Sequence, residues 1–213
     1  MIVNILRDPI QGIALITALV IGLTFHEYAH AWSANRLGDD TAARMGRLTL
    51  NPIKHLDPIG SLMMLLVGFG WAKPVPVNGW KLTRQELLEV SLAGPVSNMI
   101  LATIAALTAR GLVGFGIGWL SFVASFLVFF ALLNLFLAFF NLIPVAPLDG
   151  WKVLLGLVPA DRAQWLSQYE RYGPMILLVV ILLGRNGTLD LFGWVVVTPA
   201  RWILHLLAGP AFA

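Results

Sequence analysis

The sequence contains no cysteine and few charged residues. Without cysteine, neither a disulfide nor a thiolate metal site can form, so any metal must be held by His, Asp or Glu. Charged residues make up 12% of the 213 positions, against roughly 25% in soluble domains, and hydrophobic residues make up 58%. This composition excludes a soluble globular domain and a disordered chain. It indicates an all-α polytopic protein embedded in a lipid bilayer.

The chain also lacks flexible linkers, charged tails and internal repeats. We therefore expect a single membrane-embedded domain over 1–213, with a core at 10–160 and accessory helices at 161–213. The net charge of +3 is spread over loops, and no basic block is interleaved with aromatic residues. The sequence thus predicts no nucleic-acid partner.

Long apolar runs predict about five membrane-spanning helices. They lie at about 8–37, 86–109, 119–142, 173–184 and 189–208. We expect a polar loop at about 159–172, between the third and fourth runs.

Between the first and second spans, the pattern predicts a re-entrant region with short strands. The apolar run 59–71 has about 13 residues, whereas a spanning helix needs about 20, so we interpret it as re-entrant or interfacial. Residues 47–50 alternate in polarity and predict a short strand. Residues 73–78 contain two prolines, which fits an exposed edge strand.

The apolar part of the first predicted helix reaches Phe25 and is followed, inside the same helix, by the sequence His26-Glu27-Tyr28-Ala29-His30. A spacing of i, i+4 places both imidazoles on one helix face, where they can bind one zinc ion. Glu27 can then act as the base towards a zinc-bound water. A polar patch at a helix interface is the alternative reading of this motif.

A catalytic zinc usually has three protein ligands, so one more must come from elsewhere in the chain. Asp149 is the candidate, because it follows a long apolar helix and an irregular stretch with two prolines. The alternative is that Asp149 only caps the short helix predicted from about 149 to 157.

Together these motifs resemble the site-2 protease family of intramembrane zinc metalloproteases. The resemblance extends over about 10–160 and is that of a short prokaryotic member without a PDZ or CBS domain. It rests on His-Glu-x-x-His, on Asn-Leu-Ile-Pro and Leu-Asp-Gly within 141–150, on Gly-Pro-x-x-Asn within 93–98, and on the stretches 46–52 and 71–78.

The resemblance implies zinc as the cofactor and a role for each of several residues. It implies one zinc ion held by His26, His30 and Asp149, Glu27 as the catalytic base, and Asn141 as a contact to the substrate or oxyanion. Asn98 is expected near the site, with a helix-to-helix hydrogen bond as its alternative role. Asn134 is expected to form an interhelical hydrogen bond.

The expected function is hydrolysis of peptide bonds in or near transmembrane segments of other membrane proteins. Residues 73–78, with Val75 and Val77, are a candidate strand that captures unwound substrate by β-augmentation; a plain loop is the alternative. Two other functions stay open, a non-catalytic binding or regulatory relative and, ranked lower, a metal transporter. An adaptor protein or a second copy of the chain is an open alternative as a further partner.

Zinc binding also constrains topology, because His30 and Asp149 must face the same side of the membrane. The number of spans between them must then be even, which agrees with a run at 59–71 that does not cross. Basic residues concentrate on that side, so the positive-inside rule predicts a site facing the cytoplasm of a prokaryotic membrane and an external N-terminus. They are Arg36, Arg44, Arg47, Lys54, Lys73, Lys81, Arg84, Lys152, Arg162 and Arg171.

Two further pairs carry weaker signals. His55 and Asp57 are expected to be a solvated loop pair, with an accessory role near the entrance of the active site as the alternative. Arg201 and His205 are spaced i, i+4 in the last apolar run, where a snorkelling arginine and an intramembrane functional pair are equal alternatives.

Overall fold

The computed structural model describes residues 9–67, 70–113, 115, 117–185 and 190–209. Over these residues the fold is helical and contains no strand; Leu56 and Ala72 form an isolated antiparallel bridge. Short 3-10 turns lie at Pro52–Lys54 and Glu170–Tyr172, and a π turn lies at Gly193–Val197. The α-helices are α1 (Pro9–Arg36), α2 (Thr41–Arg44), α3 (Pro58–Val67), α4 (Arg84–Val113), α5 (Gly118–Asn141), α6 (Asp149–Leu157), α7 (Ala160–Ser167), α8 (Gly173–Arg185) and α9 (Thr198–Ala208).

Within the described part of the chain, three helices are long and apolar enough to cross a bilayer. These are α1, α4 and α5, with 28, 30 and 24 residues, and they confirm the first three predicted helices. The segment from Gly193 to Ala208 is shorter, and α8 has 13 residues, whereas a span needs about 20. The described residues therefore do not confirm the predicted count of about five spans.

Helix α1 ends at a glycine in a left-handed conformation. Gly38 has a φ of 101°, which costs glycine little because it has no Cβ. The amide of Asp39 donates to Ala34 O at 2.9 Å, and the amide of Gly38 donates to Asn35 O at 3.2 Å. This Schellman arrangement satisfies the last carbonyl groups of the helix and turns the chain away.

Helix α4 begins with a reciprocal capping box. The amide of Thr83 donates to Glu86 Oε2 at 2.7 Å, and the amide of Glu86 donates to Thr83 Oγ1 at 3.2 Å, so two amides that lack helical partners are satisfied. The helix runs on through Pro95, which is buried.

The core is built around α4, which packs against α1, α5 and α6. One face of α4 is lined by small buried side chains, and such residues allow membrane helices to approach closely. They pack with Phe130 and Leu135 of α5 and with Leu204 of α9. The alanines on this face are Ala102, Ala105, Ala106 and Ala109.

The region between α1 and α4 holds α3, which has 10 residues and is too short to span. Residues 47–50 and 73–78 are irregular, so the strands predicted there are not confirmed. Arg47 joins the two stretches through its side chain instead. Its guanidinium donates to Lys73 O at 2.6 Å and to Pro74 O at 3.4 Å. Pro74 and Pro76 lack amide hydrogens, so this stretch offers few donors for a ladder.

Asp39 connects the end of α1 to the segment that precedes α4. Its side chain is fully buried and accepts hydrogen bonds from the amide of Thr41 at 3.1 Å and the amide of Asn78 at 2.7 Å. Thr41 Oγ1 donates as well, and Lys81 Nζ lies 3.7 Å away. Residues 73–81 are therefore fixed to the end of α1 by one carboxylate.

Two loop predictions are wrong. Residues 159–172, predicted as a polar loop, contain α7 and a 3-10 turn. His55, predicted as solvated, is completely buried, with its imidazole bonded to Thr49 O at 2.7 Å. Asp57 is half-buried and its carboxylate accepts from the amide of Gly60 at 2.7 Å at the start of α3.

Candidate metal centre

Helix α1 presents His26 and His30 on one buried face. His26 is 4% exposed and His30 is 7% exposed. Their rings meet edge to face, with centroids 4.7 Å apart. The Nε2 atoms are 3.1 Å apart, so the predicted convergence of the histidine pair is present in the structure.

Hydrogen bonds on the far side of each ring set its orientation. His30 Nδ1 lies 2.7 Å from Val90 O, and His26 Nδ1 lies 2.7 Å from Asn98 Oδ1. Because a carbonyl oxygen only accepts, each Nδ1 carries the hydrogen and donates it. The neutral imidazoles then direct unprotonated Nε2 atoms towards each other, which is the tautomer that binds metal.

Asp149 completes the cluster from the other half of the chain. Its Oδ2 lies 3.1 Å from the Nε2 atoms of both His26 and His30. Asp149 is the first residue of α6, but Leu148 occupies the N-cap position and no side chain caps this helix. The capping alternative for Asp149 is therefore wrong.

The backbone beside Asp149 is tightly packed. A Cβ at Gly150 would overlap the carbonyl groups of Leu142 and Ile143, so the glycine allows α6 to start against the end of α5. Burial alone would raise the pKa of the Asp149 carboxyl group. When a proton lies on the imidazole Nε2 atoms, the charge of His30 and hydrogen bonds from both rings outweigh burial and lower the pKa below its usual value of 3.8. The carboxylate therefore stays ionised beside a positive charge.

The donor set fits zinc. Two imidazole nitrogens and one carboxylate oxygen form a triangle with three edges of 3.1 Å. Tetrahedral zinc with bonds of about 2.0–2.1 Å places its ligand atoms roughly 3.3 Å apart. Three lone pairs at this separation repel one another unless a proton or a cation lies between them. Three protein ligands also leave the fourth position that a catalytic zinc site needs.

Glu27 lies beside the cluster and is 8% exposed. Its Oε2 accepts a hydrogen bond of 2.9 Å from the backbone amide of Val75. This hydrogen bond holds the Glu27 carboxylate against residues 73–78, which we predicted from the sequence to capture the substrate.

A cavity of about 390 Å³ joins these groups. Its walls come from α1, from residues 70–77, from the start of α4 and from the end of α5. His26, Glu27, His30 and Asp149 all line it, and apolar side chains form much of the remaining surface. The cluster is thus reachable by a ligand, although two of its three side chains are almost fully buried.

The two predicted asparagines occupy different places. Asn141 is half-buried and lines the cavity, and its Nδ2 donates to Leu137 O at 2.9 Å. Asn98 is completely buried behind His26. Val75 and Val77 both line the cavity, whereas His205 is exposed on α9.

Sequence reasoning missed two residues near the cluster. Gly94 of α4 lies directly against both imidazoles. The sequence feature that could have indicated this position is a small residue next to a proline inside an apolar helix. Lys152 also lines the cavity. It follows Asp149 by three residues, which places it on a similar face of α6.

The fold and the site define an integral membrane protein with a candidate metal site of two buried histidines and one half-buried aspartate. The sequence profile of peptidase family M50 matches residues 116–184, which include Asp149 but not the histidine pair. A Bacillus subtilis protein, YwhC, is 45% identical over 197 residues, covering 84% of this chain and 90% of its own length.

Two relatives of lower identity carry the same kind of name. Rip2 of Mycolicibacterium smegmatis is 29% identical over 206 residues, covering 92% of this chain and 71% of its own. MJ0611 of Methanocaldococcus jannaschii is 31% identical over 139 residues, covering 62% and 64%. All three carry the name "Putative zinc metalloprotease". No solved structure matches. The chain belongs to peptidase family M50, the site-2 proteases, as the sequence motifs predicted.

Proposed function

We propose that this protein is an intramembrane zinc endopeptidase. It hydrolyses peptide bonds in or near transmembrane segments of other membrane proteins, and the whole chain acts as one membrane-embedded protease unit. The observation that carries this proposal is the meeting of His26, His30 and Asp149 with donor atoms 3.1 Å apart. Family membership and the adjacent carboxylate of Glu27 support it.

When zinc is bound, it polarises the scissile carbonyl and lowers the pKa of a coordinated water to about 7. His26, His30 and Asp149 are the proposed ligands. Glu27 accepts the proton of the attacking water on its carboxylate and then delivers that proton to the leaving amine. Asn141 lies at the cavity wall, where its carboxamide can contact the substrate or the developing oxyanion.

The cavity gives the substrate an extended path. A helical peptide bonds its own carbonyl groups internally, so it must unwind locally before cleavage. Val75 and Val77 line the cavity, and so do Leu137 and Phe140 of α5. We propose that unwound substrate lies beside these side chains and pairs within residues 73–78 through the backbone groups that Arg47 and Glu27 do not occupy.

Replacing Val75 and Val77 together with alanine tests this path. We expect slower cleavage of single-span substrates in liposomes, mainly through a higher KM, because the side chains that contact the peptide are shortened. The matched control is Val96→Ala, which changes an exposed valine of α4. Unchanged cleavage of every substrate by the double variant would exclude the capture role.

We propose that the site faces the cytoplasm. Helices α4 and α5 are the two long apolar helices between His30 and Asp149, and two crossings return the chain to the same side. The basic residues at the metal end support this orientation through the positive-inside rule. Helix α3 is then a re-entrant or interfacial element.

Zinc content and proteolysis of two variants test the enzyme proposal. We expect near-stoichiometric zinc in the purified wild type and strongly reduced zinc in Asp149→Ala, because one of three donors is lost. Glu27→Gln should keep its zinc while cleavage falls by a factor of about 10²–10⁴, the usual contribution of a general base. His205→Gln, an exposed residue of α9, is the control.

These measurements also separate the other functions. A non-catalytic relative would bind zinc without cleaving any of a panel of single-span membrane proteins. A transporter would move zinc into liposomes. The ligand cluster lies at one level of the molecule rather than along a path through it, which favours the protease.

A further inference from the structure

Two asparagines lie in the centre of the long-helix bundle, where polar side chains are costly. Asn98 of α4 and Asn134 of α5 are both completely buried. Neither lines the cavity beside the metal ligands. A buried amide with unmet hydrogen bonds costs about 1–3 kcal/mol, so their contacts determine whether they stabilise the site.

The contacts form a continuous chain that starts at a metal ligand. Asn98 Oδ1 accepts from His26 Nδ1 at 2.7 Å. Asn98 Nδ2 donates to Gly22 O at 3.1 Å and to Asn134 Oδ1 at 2.9 Å. Asn134 Nδ2 donates to Phe130 O at 2.9 Å. The chain therefore links α1, α4 and α5.

Backbone carbonyls fix which end of each amide faces which partner. Gly22 O and Phe130 O only accept, so each must face an NH₂ group. Asn134 is then held with its oxygen towards Asn98. Asn98 in turn is held with its oxygen towards His26, and both of its amide hydrogens are used.

Rotation of the Asn98 amide by 180° would have a chemical consequence at the metal site. The NH₂ group would face His26 Nδ1, which would then have to accept, and the hydrogen of the neutral ring would move to Nε2. That tautomer cannot bind zinc through Nε2. The rotated amide would also place its oxygen against Asn134 Oδ1 and Gly22 O, and this repulsion opposes the rotation.

We propose that Asn134 is a positioning residue for the metal site, acting through Asn98 on His26. It supplies one of the two acceptors that keep the Asn98 amide in its productive orientation. Gly22 provides the space, because a Cβ there would lie 2.9 Å from Asn134 Oδ1. The inference rests on the proposed role of His26 as a zinc ligand and extends it to α5.

The test measures zinc affinity in the purified full-length protein by competition with a chelator, together with the absorption spectrum of the cobalt-substituted form. Asn134→Leu removes the acceptor at similar size and should weaken zinc binding about 3- to 10-fold, less than the 10- to 100-fold typical of direct partners of a ligand. Asn134→Asp, protonated at this buried position, keeps an oxygen towards Asn98 and can donate its O–H to Phe130 O, so it should stay within about twofold of wild type. Asn134→Ala replaces the leucine variant if that one does not fold.

Two controls separate positioning from general packing. Ser125→Ala also removes a side-chain hydrogen bond to the carbonyl four residues earlier on α5, and it should leave zinc affinity unchanged. In an Asn98→Ala background, Asn134→Leu should cause no further loss, because its route to His26 is already broken.

The proposal is overturned by unchanged affinity in folded Asn134→Leu, by equal losses in the leucine and aspartate variants, or by a full additional loss in the Asn98→Ala background. A wild type without zinc would instead overturn the proposed function. The failure of the inference is therefore distinguishable from the failure of the function on which it rests.

Discussion

At the scale of single residues, Gly94 determines how closely α4 approaches the histidine pair. A Cβ at this position would lie 2.6 and 2.7 Å from two atoms of the His26 ring and closer still to His30 Nε2. Real Cβ atoms do not make contacts this short with rigid rings. The absence of a side chain at residue 94 is therefore part of the site, although glycine contributes no chemical group.

Gly94→Ala is expected to displace both imidazoles and to weaken zinc binding by more than about tenfold, the scale seen when the surroundings of metal ligands are disturbed. Chelator competition on the purified variant measures this. Gly111→Ala is the matched control on the same helix, because nothing lies within 4 Å of a Cβ there. Equal zinc affinity in the two variants would show that the rings adjust without cost.

The ligands were predictable from sequence, whereas of their supports Asn98 was expected near the site only through the family resemblance and Gly94 was given no role. His26, Glu27 and His30 lie close in the chain, so helix geometry alone brings them together. Asp149 was predicted by its setting, with its role left open between ligand and cap. Asn98 and Gly94 contact the histidines only because α4 crosses α1 at one register, and no local pattern specifies that register.

At the scale of elements, the buried carboxylate of Asp39 holds residues 73–81 on the end of α1. Burial raises the pKa of this group, but hydrogen bonds from Thr41 and Asn78, together with the charge of Lys81, outweigh burial and lower the pKa below its usual value of 3.8. A carboxyl group with a lowered pKa stabilises the fold above its unfolded-state pKa. That stability is lost as the pH falls through the folded-state value.

Asp39→Asn should therefore lower the free energy of unfolding by roughly 2 kcal/mol at pH 7, the scale of hydrogen bonds to a charged acceptor. The difference from wild type should begin to shrink as the pH falls below about 4, where Asp39 of the unfolded chain takes up a proton, and should disappear below the lower folded-state pKa. Unfolding in detergent at several pH values measures both effects. Asp40→Asn is the control, because Asp40 is half-exposed and its pairs with Arg44 and Lys81 lie at the surface. A difference that does not vary with pH would contradict this account.

Local sequence features predicted the helix boundaries better than they predicted the structure of the region between α1 and α4. Gly38 ends α1, Thr83 and Glu86 start α4, and α6 covers the predicted 149–157. The strands predicted at 47–50 and 73–78 are not confirmed, because a guanidinium reaches the carbonyl groups that a neighbouring strand would have used. The alternation of polar and apolar residues in a sequence does not show whether two stretches are joined by a backbone ladder or by side-chain hydrogen bonds.

At the scale of the whole molecule, the lack of native cysteine makes the orientation directly testable. Lys54 lies at the metal end between α1 and α3, and Phe115 is 70% exposed in the turn between α4 and α5. If the site faces the cytoplasm, a membrane-impermeant thiol reagent should label Phe115→Cys in intact cells. It should label Lys54→Cys only after the cells are opened.

The cysteine-free wild type gives the background for this labelling. The reverse pattern would place the metal end outside the cell. Labelling of both positions in intact cells would contradict an even number of crossings between His30 and Asp149.

The three long helices and the return of Asp149 to the histidine pair were predictable, since both follow from length, apolarity and the pairing of ligands. The number of further crossings was not. Helix α8 and the segment Gly193–Ala208 are apolar but short, so their relation to the bilayer depends on tilt and on packing against neighbours.

The separation of the ligands along the chain has a consequence for biosynthesis. His30 and Asp149 are 119 residues apart, so a growing polypeptide carries two of the three metal donors long before the third is translated. A protease that completed its own site early would be exposed to unfolded neighbours in the insertion machinery. Here the order of synthesis keeps the proposed zinc site incomplete until α5 has been made.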